Sequence, residues 1–226
     1  MTFSIAGRCA GSGAFGVAIT TSSIAVGARC PHARAGVGAV ATQNVTDPSL
    51  GPKLLDLMQQ GLSARDSIDS IIKDRPHIEY RQLTAVDRNG ISASWSGKNI
   101  LGTHGVSEQK DCVAAGNLLK SASLPEAMTA AFAANADQHL GERLLCALEA
   151  GLASGGEEGL VHSAALIVYH TEEFPLVSLR VDWDDDGYPI RALRNLWEAY
   201  RPQMGAYLQR AVDPTQAPPY GVPGDP

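Results

Sequence analysis

Residues that build metal centres, disulfide frameworks or membrane spans are scarce here or badly spaced for the purpose. The 226-residue chain has four cysteines, Cys9, Cys30, Cys112 and Cys146, and no two form a C-x-x-C pair. Zinc sites show paired ligands at short spacing, and disulfide scaffolds are shorter and richer in cysteine, so buried, reduced thiols are expected. Six histidines are dispersed without an H-x-x-x-H pair. No metal or cofactor is expected. No stretch approaches the ~18 to 20 apolar residues of a membrane helix. The opening MTFSIAGRCAGSG lacks a basic region followed by an apolar core and a cleavage site. Cations are in deficit, with 18 Lys and Arg against 24 Asp and Glu and a formal net charge of −6. That balance argues against a phosphate-tracking surface, and so against nucleic acid as a partner. The expectation is a cytoplasmic protein that does not enter the membrane.

Hydrophobic residues make up 44% of the chain, ordinary for a globular protein and too many for a wholly disordered one. Thr2 to Ala10 and Ala14 to Ser22 read as a hairpin about Gly11-Ser12-Gly13, and Val37 to Thr42 is a further apolar run. Gly7, Gly11, Gly13, Gly16, Gly27, Gly36 and Gly38 crowd this region, which implies bulges or close backbone approach. One helix opens at Asp47-Pro48-Ser49 and closes at Gly61; Ser63 caps a second, with Ile68, Ile71 and Ile72 as its stripe, ended before Pro76. Tyr80 to Val86 and Ile91 to Trp95 flank Asp87-Arg88-Asn89-Gly90, a hairpin signal. Cys112 to Leu119 is a strand candidate, Pro125 to Ala134 and Leu140 to Ala153 are helices, and Ser163 to Tyr169 and Val177 to Trp183 are strands. Tyr188 to Ala211 reads as helix broken at Pro202. Strand pairs interrupted by helix pairs predict a single α+β domain over residues 1–211, with stacked antiparallel sheets under outer helices. Residues 212–226, rich in proline and glycine, read as an extended tail.

Thr2 draws chemical interest. Initiator methionine is generally removed before a small side chain, which leaves a hydroxyl and a free α-amine on one residue. The amine, which ordinarily titrates near pH ~7.7 to 8.0, can act as the base that activates the neighbouring hydroxyl. Thr2 opens a strand directly, and a nucleophile needs a rigid mount. A threonine at position two is also commonplace, and alone it says little.

TFSIAGR and GAFGVAITTSSIAVGARCPHARAGVGAVATQ resemble the start of an uncharacterised bacterial family, domain of unknown function number one thousand and twenty-eight. Gly116-Asn117, the ERLLCALEAG run at Glu142 to Gly151, the SAALIV run at Ser163 to Val168 and the LRVD run at Leu179 to Asp182 match its pattern too. The likeness spans about residues 2 to 200. It implies the Ntn-hydrolase type of fold, a four-layer αββα sandwich in which an N-terminal Thr, Ser or Cys is usually the nucleophile. In that architecture a basic residue near the nucleophile helps to lower the amine's pKa, and Arg34 is the candidate; always charged, it supplies electrostatics and cannot be the base. A structural salt bridge is the other reading of Arg34. Asn117 is placed to donate to a developing oxyanion, or is a turn asparagine. Ser163 is placed to orient the amine, or simply to cap. Where relatives read GGDxRGRQSAAL, this chain has GGEEGLVHSAAL at Gly155 to Leu166. Glu157 stands for the aspartate, and the basic position is lost.

Other patterns fall short. In Cys30-Pro31-His32 the proline gives a thiol–imidazole pair poor geometry. Asp182 to Gly187 starts like a calcium loop, yet Leu193 stands where a bidentate glutamate is needed. Gly11-Ser12-Gly13 has no GK[ST] after it. Three functions follow: a small-molecule amide hydrolase built on Thr2; a silent small-ligand binder on the same scaffold, using Arg34 to pair a carboxylate; or a homo-oligomer subunit, suggested only by the alanine-rich helices.

Overall fold

The structure, a computed structural model, describes residues 1–223. Residues 224–226, the end of the expected tail, lie outside the described residues.

Strands β1 (Thr2–Arg8) and β2 (Phe15–Thr21) form the expected hairpin, with Thr2 opposite Thr21 and Gly7 opposite Gly16. They sit at the centre of a six-stranded antiparallel sheet of order β10-β9-β2-β1-β8-β7. Its other members are β7 (Gly105–Gln109), β8 (Cys112–Asn117), β9 (Ser163–Tyr169) and β10 (Val177–Val181). A second antiparallel sheet runs β3-β4-β5-β6, from β3 (Pro31–Arg34), β4 (Gly38–Asn44), β5 (Arg81–Asp87) and β6 (Ser92–Ser96). Helices α1 (Leu50–Gln59) and α2 (Ala64–Asp74) cover the four-stranded sheet through Leu50, Leu54, Met58 and Ile68. Helices α3 (Leu124–Ala134), α4 (Leu140–Ala153) and α5 (Pro189–Tyr200) cover the six-stranded one, with Phe132, Leu144, Leu148 and Trp197 in that core. The order of layers is αββα.

Strand alternation sorts the side chains of β1. Phe3 and Ile5 turn to the helices, while Ala6 packs against the other sheet and Ser4 hydrogen-bonds to it. The close approach implied by the strand glycines occurs beneath the helices. A Cβ on Gly7 would lie 2.8 Å from the Phe132 ring, and one on Gly16 would lie 2.8 Å from Leu144 and 2.5 Å from the Ile167 carbonyl.

Strands β3 and β7 fall outside the set expected from sequence. Both are edge strands; β3 opens on a proline and β7 is GVSEQ, so neither carries the apolar alternation that marks a half-buried strand. The helix expected over Tyr188 to Ala211 is divided at Pro202 into α5 and α6 (Met204–Val212) by one 3₁₀ turn. The following segment is not simply extended. Asp213 caps a further 3₁₀ turn, and Arg210 lies 3.8 Å from the Tyr220 ring centroid and donates to the Pro218 and Pro219 carbonyls. No helix among the described residues is long and apolar enough to cross a membrane.

Candidate functional site

The space between the sheets is apolar at one end and polar at the other. At the β1 C-terminal end Ala6, Phe15, Val17, Ala39, Val86 and Val113 pack together. At the β1 N-terminal end the register places four polar residues side by side. Asn117 lies opposite Thr2, Thr2 opposite Thr21, and Thr21 opposite Ser163. All four are buried. Three of the four residues expected at the site, Thr2, Asn117 and Ser163, therefore share one row of the sheet.

The Thr2 hydroxyl donates to the Met1 carbonyl at 2.5 Å and lies 3.0 Å from the Thr21 hydroxyl, which also donates to Met1 O. Met1 is thus the lid of the row. Its side chain rests on Gly159, in the segment that departs from the family pattern. Asn117 Nδ2 donates to Gln82 Oε1 at 3.1 Å, and Gln43 Nε2 donates to the same oxygen at 2.8 Å. Ser4 Oγ donates to Gln43 Oε1 at 2.6 Å, and Gln82 Nε2 donates to Gly116 O at 3.2 Å. These bonds join the two sheets and fix the Asn117 amide. Among the described residues its second N–H has no hydrogen-bond partner, and its Oδ1 is buried without one. Ser163 Oγ donates to Ser23 O at 2.6 Å and accepts from Val26 N at 3.1 Å. It holds the 22–26 loop and does not touch Thr2.

Arg34 is not part of the row. Gln43, near the C-terminal end of β4, meets Ser4 near the start of β1, whereas Arg34 pairs with Gly38 at the other end of β4. The Arg34 guanidinium pairs with Asp56 at 2.9 Å and also donates to Gln59, both on α1. Its structural reading is the one the geometry displays, and it brings no charge to Thr2.

Glu157 stands out in the sequence only as a departure from the family pattern. In the structure it forms an isolated bridge with Leu119, just beyond Asn117, and is 2% exposed, with neither carboxyl oxygen in good hydrogen-bond geometry with a partner among the described residues. Burial pushes its pKa up to about 8, while the positive chain terminus, and more weakly the Ser22 backbone, pull it back. Thr21, Gln43 and Gln82 are site residues that the sequence reading does not single out. Their only advance signal is a polar residue on an otherwise apolar strand.

Cys30 and His32 do not form a reactive pair. Cys30 joins the apolar cluster of Ile19, Val26 and Ala165, while His32 packs on Gly51 of α1. Asp182 is taken by Arg180, and Asp184 accepts from the Tyr188 amide. Among the described residues no cluster of three or more acidic, histidine or cysteine side chains is spaced to hold a metal.

The layer order and the polar row define an αββα sandwich with a threonine at the mouth of its inter-sheet space. The chain belongs to the family of unknown function DUF1028, whose family model matches residues 2–193. It is similar to protein SPO2555 from Silicibacter pomeroyi, a DUF1028 crystal structure, at 31% identity and a TM-score of 0.81, with 88% of each chain covered. A more distant likeness is Anbu, an ancestral beta-subunit from Yersinia bercovieri, at 12% identity and a TM-score of 0.40, covering 91% of this chain and 97% of that one. No curated protein matches.

Proposed function

We propose that this chain is an N-terminal-nucleophile hydrolase, cleaving an amide or peptide-like bond in a small molecule once Met1 has been removed. The observation that carries this reading is the row itself, with Thr2 at the head of a central strand, flanked by a fixed amide and a hydroxyl. Loss of Met1 frees the Thr2 amine and vacates the place of the carbonyl that now accepts from both threonines. The Thr2 hydroxyl then attacks the substrate carbonyl carbon while the amine takes its proton. On this reading the uncommitted N–H of Asn117 donates to the tetrahedral oxyanion. The amine returns the proton to the leaving nitrogen as the C–N bond breaks, and water hydrolyses the acyl-threonine ester. The substrate is a small molecule, and the compartment is the cytoplasm.

Preparations are first sorted by intact mass into those with and without the methionine. Processed protein hydrolyses members of a small-amide panel, Thr2→Ala loses that turnover, and Thr2→Ser recovers part of it. Equal turnover by Thr2→Ala and the unaltered protein overturns the proposal.

A further inference from the structure

A cavity of about 450 Å³ lies between α3, the start of α4 and the β7–β8 hairpin. Glu126, Thr129, Ala130 and Ala133 of α3 line one side at i, i+3, i+4 and i+7. Cys112, on the other side, pairs with Gly7, while Asn117 pairs with Thr2. Five residues of strand, about 17 Å, therefore separate this cavity from the Thr2 row.

Arg143 reaches into it and is 8% exposed. Its guanidinium carbon lies 3.9 Å from the Phe132 ring centroid, and its Nε donates to the Phe132 carbonyl at 3.3 Å. The two terminal nitrogens have no hydrogen bond and no carboxylate among the described residues. The nearby Asp111 is already committed to Arg8 at 2.5 Å. Arg143 also stands in the first turns of α4, the end of a helix where a cation is least favoured. The terminal nitrogens reach the solvent of the open cavity, and their planar fork matches a carboxylate.

The surroundings narrow the ligand. Arg143 is the buried cation of the lining, and at the rim exposed Lys110 and Glu126 offset one another, so the cavity suits one negative charge. Ala130, Ala133 and Phe132 offer an apolar wall. We propose that this cavity binds a small monocarboxylate with an apolar body, its carboxylate on the terminal nitrogens of Arg143 and its body along Ala130 and Ala133. The proposal does not depend on hydrolysis at Thr2.

Isothermal titration of the intact protein with isovalerate, and separately with inorganic phosphate, tests it. Isovalerate binds saturably and phosphate does not. Arg143→Met weakens isovalerate about ten- to hundredfold, and Thr2→Ala leaves it unchanged. Should Arg143→Met not fold, Ala130→Phe decides, since it fills the cavity from an exposed position and leaves Arg143 in place; it abolishes binding. The proposal is overturned by no saturable isovalerate heat, by phosphate binding as tightly as isovalerate, or by unaltered affinity in Ala130→Phe.

Discussion

Glu157 is a buried carboxyl without an ion-pair partner among the described residues. Its folded-state pKa of about 8 stands above the ordinary 4.5, so between those values the folded chain keeps a proton that the unfolded chain has released. Stability therefore falls as pH rises through that window, by at most about 5 kcal/mol. Glu157→Gln removes the dependence: its urea midpoint is close to that of the unaltered protein near pH 5 and higher at pH 8.5. Identical midpoint differences at the two pH values would show that the carboxyl is not buried as described. The sequence displays Glu157 but not its burial. That burial follows from Gly155 and Gly156, whose positive φ of 123° and 66° lets the chain turn back along the end of β8.

At the scale of elements, hairpin and helix meet through one carboxylate. Asp87 Oδ1 accepts from the Asn89 and Ile91 amides at 2.8 and 3.1 Å, while Oδ2 accepts from Ala64 N, the first residue of α2, at 2.9 Å. Asp87→Ala leaves the buried Ala64 amide unpaired and removes both turn bonds, and costs about 2–3 kcal/mol, read as a lower denaturant midpoint. Gly16→Ala sets a methyl against the Ile167 carbonyl and Leu144, and costs about 1–3 kcal/mol in the same measurement. The Asn-Gly hairpin is legible in the sequence because its turn chemistry is local, and the helices because their stripes repeat. The edge strands β3 and β7 are not, because an edge needs less apolar surface. The pairing of β1 with β8 joins residues more than a hundred apart, and nothing in a local pattern encodes it.

Over the whole molecule, the C-terminal helices hang on α4 through Glu142, which accepts from Arg194 Nη1 at 2.6 Å and from Trp197 Nε1 at 2.6 Å. Burial pushes the Glu142 carboxyl up, but Trp197 and Arg194 outweigh it and hold it below the usual range. A lowered folded pKa gives stability that is present above about 4.5 and lost as pH falls through the folded value. Acid titration of tryptophan fluorescence, with Trp95 and Trp183 replaced by Phe, should report loosening of α5 only below the ordinary carboxylate value of 4.5, and Glu142→Gln should show it already at neutrality. Thr2, Asn117 and Ser163 can be nominated singly from sequence, whereas their shared row depends on three strand registers. Arg34 fails as a candidate because distance along the chain does not reveal which end of a sandwich a strand reaches. The capping by Met1 has a consequence in time. Thr2 and Thr21, opposite each other on the β1–β2 hairpin, grip its carbonyl, so closing that hairpin already holds the first peptide unit in place. If Thr2 is the nucleophile proposed above, a host that trims too slowly would accumulate a masked population of folded chains.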